Sequence, residues 1–224
     1  MHRRAAPLGV PRRAARRRVP RRLAGTRAPP WSRGRERPIE DLPLFPLNAV
    51  LFPGGRLPLR IFERRYMDMA KVCLQHGSPF GVCSIREGQE VGAPATPNAV
   101  GTLARIVAWD MPQLGLLEVT ARGERRFRIL ERRVQPDGLA RASIEMLAEE
   151  IDAAIPEGMA RCPKLLERVI EQHPALFEPP HRLESCAWVS ARLTELLPLP
   201  LEAKQALLEE GDARRRLEQL NALI

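Results

Sequence analysis

Two cysteine–histidine arrangements are the first places in this chain to look for chemistry. Cys73 and His76 stand three residues apart, a spacing that puts a thiol and an imidazole on one helix face and could pair a nucleophile with its base. Cys73, however, belongs to an apolar stripe, and no third group follows to orient the pair. The structural reading is the better one, with His76 at a helix end where partial positive charge is favoured. Cys162, His173, His181 and Cys186 could be gathered as a zinc set, but the intervening 10, 7 and 4 residues match no metal template. No Cys-x-x-Cys occurs, which leaves neither a zinc ribbon nor a redox motif. A phosphate-binding loop needs Gly-Lys-Ser/Thr, and none of the three lysines, Lys71, Lys164 and Lys204, follows a glycine. None of the six serines lies in a Gly-x-Ser-x-Gly elbow or a Ser-x-x-Lys pair. The acidic pairs Glu149-Glu150 and Glu209-Glu210 fall in connector or helix-surface contexts. The expectation is therefore no catalytic residue, no metal ligand and no cofactor.

One basic cluster remains, formed by Arg122, Arg125, Arg126, Arg128, Arg132 and Arg133. It could meet an acidic ligand or a nucleic acid. The plainer reading is a solvated strand face, with Arg126 and Arg128 pointing outward and blunting edge pairing.

These residues need elements to hold them. The segment Leu42–Tyr66 breaks short apolar runs at Pro43, Pro46, Pro53 and Pro58, with Gly54-Gly55 after the third. Strands are expected over 42–47, 50–52 and 57–61, and their prolines point to edges or bulges. Glu63–His76 reads as a helix burying Tyr66, Met69, Ala70 and Cys73, closed by Gly77. Further strands are expected over 80–85, 100–109 and 114–121, the last two central, with a polar loop over 87–98. The clearest hairpin spans 125–146 about Pro136-Asp137-Gly138. After Leu147 the apolar period lengthens to three or four. An acidic connector leads to helices over 161–173, 183–197 and 201–210, the last closed by Gly211. A final helix is capped by Asp212 and buries Ala213, Leu217, Leu220 and Ile224. Strands followed by helices make an α+β class by segregation.

Bulk numbers sharpen the picture. Of the 224 residues 44% are hydrophobic, enough for a core. The formal charge of +9 is misleading as a whole-chain figure, because thirteen arginines against Glu36 put +12 in residues 1–38, and the rest carries −3. That tail, with six prolines and no lysine, is expected to be disordered. Translation of a GC-rich upstream region from too early a start accounts for it better than a nucleic-acid arm or an organelle transit peptide. No apolar stretch follows the arginines as a secretory signal requires, and none approaches the roughly 20 residues that span a bilayer. Four cysteines without a signal suggest a reducing, cytoplasmic setting.

The pieces PLFPLNAVLFPGGRLPLRIFERRY, PFGVCSIREG, VGTLARI and VTARGERRFRI, in this order, resemble the N-terminal substrate-recognition domain of Lon ATP-dependent proteases, a module that looks shared with cereblon-type receptors. The stretch ESCAWVSARLTELLPLPLEAKQALLEEGDARRRLEQL resembles the helical part of that domain. The resemblance runs from about Leu42 to Ile224. It implies a PUA-like β pseudo-barrel with one helix over 39–150, then a helical bundle over 151–224, after the tail at 1–38. It also implies a stand-alone, non-enzymatic module without the ATPase and Ser–Lys protease domains, whose partners are unfolded or apolar polypeptide segments. The alternatives are an adaptor docking on a partner protease and a nucleic-acid-binding PUA-like protein. Nucleic acid is expected only through the Arg-rich tail, and no membrane is expected. No peptide-binding residue follows from the sequence.

Overall fold

The computed structural model describes residues 17–18 and 38–224. The rest of the expected tail lies outside the described residues. Strands β1 (Arg17–Arg18), β2 (Ile39–Leu47), β3 (Arg56–Ile61), β4 (Phe80–Glu87), β5 (Thr96–Gln113), β6 (Leu116–Val134) and β7 (Ala140–Met146) form one mixed sheet. Its order is β1-β5-β4-β2-β7-β6-β3, and an added β5–β6 pairing closes β2, β4, β5, β6 and β7 into a ring. This is the expected pseudo-barrel. β3 lies outside the ring, paired to β6 on one side only.

The length of β5 and β6 explains the closure. At 18 and 19 residues each, they are interrupted by register shifts such as that between Thr102 and Ala104, and each bulge adds local twist that lets one strand bend around the barrel. Their hairpin tip, Leu114-Gly115, is in open solvent, with Leu114 98% exposed, so the expected strand starts two residues late. The hairpin about Pro136-Asp137-Gly138 forms as read, with Gly138 at φ 84°.

β2 departs from the edge position its prolines suggest. It sits between β7 and β4, yet β7 pairs with residues up to Pro43 and β4 pairs with Leu44–Leu47. Each half of β2 thus has one open side, and a missing N–H is tolerated there as on an edge. Pro58 is in the true edge strand, β3. Residues 50–52 form no strand at all. They are a buried link whose apolar side chains reach into two different cores.

Helix α1 (Arg64–His76) buries Tyr66, Met69, Ala70 and Cys73 against the barrel and ends at left-handed Gly77, as its spacing predicts. Helices α2 (Arg161–Gln172), α3 (Cys186–Leu196), α4 (Leu201–Glu209) and α5 (Ala213–Asn221) follow the barrel. α3 starts three residues later than expected, because the Ser185 hydroxyl caps it by accepting from the Trp188 amide. It packs against α2, α4 and α5, so residues on nearly all its faces are buried. Asp212 caps α5 as expected, accepting from the amides of Arg214 and Arg215. α4 ends at Glu210 without a left-handed Gly211, and Ile224 is left 42% exposed beyond the end of α5.

Three clusters make up the core: barrel with α1, the opposite barrel layer around Phe127 and Ile144, and the helices. The helical cluster includes Val50, Phe52 and Val100 from the β part, so barrel and helices share apolar side chains.

Candidate functional site

The seam between barrel and helices is built on the Phe52–Gly55 turn. Gly123 donates its amide to the Gly55 carbonyl at 2.9 Å, and Gly54 donates to the Gly123 carbonyl at 2.9 Å. A Cβ on Gly123 would stand 2.2 Å from the Phe52 carbonyl oxygen, so this strand must carry glycine where the turn crosses it. From the barrel, Thr102 donates to the Leu51 carbonyl at 2.6 Å. From α3, the Glu195 carboxylate accepts the Phe52 amide at 2.9 Å, and Arg192 donates to the Pro53 carbonyl at 3.1 Å.

Buried charges hold the same seam. The Arg216 side chain is fully enclosed and meets both oxygens of Glu150, at 2.8 and 2.6 Å. It also donates to the Ser190 hydroxyl and lies 5.1 Å from the centre of the Phe52 ring. Arg126, expected on a solvated face, is instead buried. It donates to the Leu208 carbonyl at 2.7 Å and the Glu210 carbonyl at 3.0 Å and pairs with Glu150 at 3.3 Å. Alternation along β6 fails there because both Arg126 and Phe127 are covered, one by helices and one by the barrel layer. Arg128 does face outward, towards Glu145, and Arg133 pairs with Asp41. The cluster is thus divided among separate partners.

The cysteine–histidine arrangements do not assemble. Cys73, Cys83, Cys162 and Cys186 are all buried free thiols, and burial raises each above the ordinary thiol value, Cys83 to about 12. A buried, protonated thiol is a poor nucleophile and a poor metal ligand. His76, His173 and His181 are exposed. Among the described residues no three His, Cys, Asp or Glu side chains stand together as a metal site would require.

Two clefts meet along β3. The first, about 360 Å³, lies between the β2–β3 link and the helices. Its walls include Leu57, Trp188, Leu196 and Leu199, with Arg56 and Lys204 at the side. Glu195 and Arg192, paired at 2.9 Å, line it as well. Burial pushes the Glu195 carboxyl up, against the opposing pull of Arg192, the Phe52 amide and Lys204. The second cleft, about 310 Å³, has Phe45, Leu47, Leu59 and Tyr66 among its lining, with Phe62 and Val91 beside it. Ala49 and Leu57 line both, so the clefts are two ends of one groove. Exposed apolar side chains flank it, with Phe62 at 56%, Val91 at 53% and Leu176 at 56%. The sequence signalled the strand beside the groove but not the groove, whose far wall comes from more than a hundred residues downstream.

The family described as ATP-dependent protease La (LON) substrate-binding domain matches residues 41–224. The chain is 29% identical over 192 residues to a Lon protease from Anaeromyxobacter dehalogenans, covering 82% of this chain and 23% of that one. Protein cereblon from Gallus gallus is 31% identical over 114 residues, 49% of this chain and 24% of cereblon. This chain thus spans about a quarter of the length of these relatives. Among solved structures, a Lon N-terminal domain protein from Xanthomonas campestris aligns with TM-score 0.69 at 39% identity, over 83% of this chain and 99% of that one. The N-terminal domain of Mycobacterium avium complex Lon protease aligns with TM-score 0.58 at 19% identity, over 81% and 96% of the two chains, a likeness of fold.

Proposed function

Because this chain belongs to the Lon substrate-binding domain family, matched over residues 41–224, we propose that it is a non-enzymatic recognition module that holds exposed apolar stretches of unfolded polypeptides. The observation that carries this reading is the groove of two clefts sharing Ala49 and Leu57, flanked by exposed Phe62, Val91 and Leu176. Exposed apolar side chains grouped around a concavity are what a partner's apolar side chains can cover. Burial at about 25 cal/mol per Å² supplies the attraction, and no covalent step is required. Buried, protonated thiols and scattered carboxylates favour binding over catalysis. No helix among the described residues is long and apolar enough to cross a membrane. The same reading assigns the protein to the cytoplasm, where unfolded clients arise.

Calorimetric titration of the full chain with a permanently unfolded, alkylated client protein tests the proposal. Binding in the micromolar range without ATP is expected, weakened several-fold by Leu57→Asp or Phe62→Asp. Absence of heat and of spectral change at hundred-micromolar client would sink it.

A further inference from the structure

The second cleft is lined by every residue from Leu57 to Phe62 in succession, together with Glu63. A cleft over one face of a strand would be lined by alternate residues only, since successive side chains point to opposite faces. An unbroken run means that the groove follows the open edge of β3, the edge away from β6. Hydrogen-bond alternation supplies the register. The Gly55 carbonyl faces β6, where it accepts from Gly123. In an antiparallel pair, residues alternate in facing their neighbour. Leu57, Leu59 and Ile61 therefore turn their backbone groups to β6. Arg56, Pro58 and Arg60 turn theirs to the open side. Pro58 lacks an N–H and so falls where its absence breaks no bond to β6. The open edge offers the N–H and C=O of Arg56 and Arg60 and the C=O of Pro58.

Side chains on the two faces of β3 differ sharply. Leu59 and Ile61 are buried, Leu57 is half-buried, and all three pack in the core cluster that includes Phe45, Leu47 and Tyr66. Arg56, Pro58 and Arg60 are exposed on the other face. The cleft beside Arg56 is also lined by Lys204, whose ammonium donates to the Glu195 carbonyl at 3.0 Å. Arg60 has only a loose pair with Glu118, at 3.8 Å. Residues facing each other across two strands lie on the same side of the sheet and interact directly. A strand added here must therefore present acids towards Arg56 and Arg60, and apolar side chains towards Leu57, Leu59 and the cleft floor.

We infer that the open edge of β3 docks an extended polypeptide segment of the pattern acidic–apolar–any–apolar–acidic, as a strand added to the sheet. This deepens the proposed function and rests on it, by naming the class of segment and the strand that reads it. The recognition divides in two. Main-chain bonds at Arg56 and Arg60 hold the backbone, and alternate side chains provide selectivity. The rung missing at Pro58 weakens sequence-independent pairing and leaves more of the affinity to side-chain fit.

Fluorescence anisotropy with the full chain tests this, using a labelled nine-residue peptide with Asp-Leu-Thr-Leu-Asp at its centre. A second peptide of the same composition carries Leu-Asp-Thr-Asp-Leu. The first should bind about tenfold more tightly, and its binding should slow amide exchange at Arg56 and Arg60. The exposed double substitution Arg56→Glu with Arg60→Glu should remove that preference and transfer it to a Lys-Leu-Thr-Leu-Lys peptide. Equal affinity for the two acidic peptides, or unchanged exchange at Arg56 and Arg60, overturns the inference. So does a sedimentation result in which the double substitution alters self-association and leaves peptide binding intact, since the edge then serves a second copy of this chain. An unfolded client that still binds the doubly substituted chain unchanged overturns the edge assignment alone. Failure of every client and peptide to bind removes the broader reading with it.

Discussion

At Glu195 burial and charge oppose each other. Its carboxylate holds the Phe52 amide and meets Arg192, yet burial still raises it above the ordinary 4.5. A carboxyl raised by folding binds its proton more tightly in the folded state than in the unfolded one. Its contribution to stability is complete below the unfolded value and is lost as pH rises through the folded value. The wild-type chain should therefore lose stability as pH rises above the ordinary carboxyl value of 4.5, relative to Glu195→Gln, which has no proton to release. Urea midpoints of both proteins across that rise measure the difference. Parallel curves would mean that Arg192 and the Phe52 amide offset burial fully. The residue reading from sequence missed Glu195, and also misjudged Arg126. Periodicity assigns a strand residue to one of two faces. It cannot tell that helices more than eighty residues later cover the face on which Arg126 lies.

At the scale of elements, propensity and turn chemistry were strong guides. α1 with its Gly77 end, the Asp212 cap, the hairpin about Pro136-Asp137-Gly138 and the barrel-then-helices order were all legible. The link over 50–52 was not, because apolar β-formers in a short run look alike whether they pair or merely plug a core. Its conformation depends on Gly123, a feature of a distant strand. Gly123→Ala should cost about 1–3 kcal/mol through overpacking against the Phe52 carbonyl, read as a fall in urea midpoint with an unchanged slope. A loss below about 0.5 kcal/mol would show that the turn shifts freely and does not clamp the seam.

For the molecule as a whole, the expected boundary near residue 150 runs through shared structure. Val50, Phe52 and Val100 pack with the helices, and Glu150 joins Arg126 of the barrel to Arg216 of α5. We propose that 39–150 and 151–224 are two layers of one cooperative unit. Breaking a buried ion pair by removing one partner costs about 3–5 kcal/mol, so neither layer should survive alone with its charges uncompensated. Trp109 lies in β5 and Trp188 in α3. With Trp31 replaced by Phe, single-tryptophan variants retaining only Trp109 or only Trp188 should unfold at the same urea concentration. Separate midpoints would establish two independent domains.

The local order of amino acids was sufficient to specify the α+β class, most helix and turn positions, and through the resemblance carried from Leu42 to Ile224, the family. Those properties depend on neighbours within about one helix turn or one hairpin, where steric and hydrogen-bonding preferences act directly. The groove, its edge strand and the buried charges of the seam were decided by tertiary structure. Each needs groups from distant positions to converge: Arg126 on Leu208, Glu195 on Phe52, Trp188 opposite Leu57. The prolines of Leu42–Tyr66 show the division well. Their φ restriction and missing N–H can be read from sequence, but only the finished sheet determines that Pro43 and Pro46 lie inside it and that Pro58 lies at its open edge.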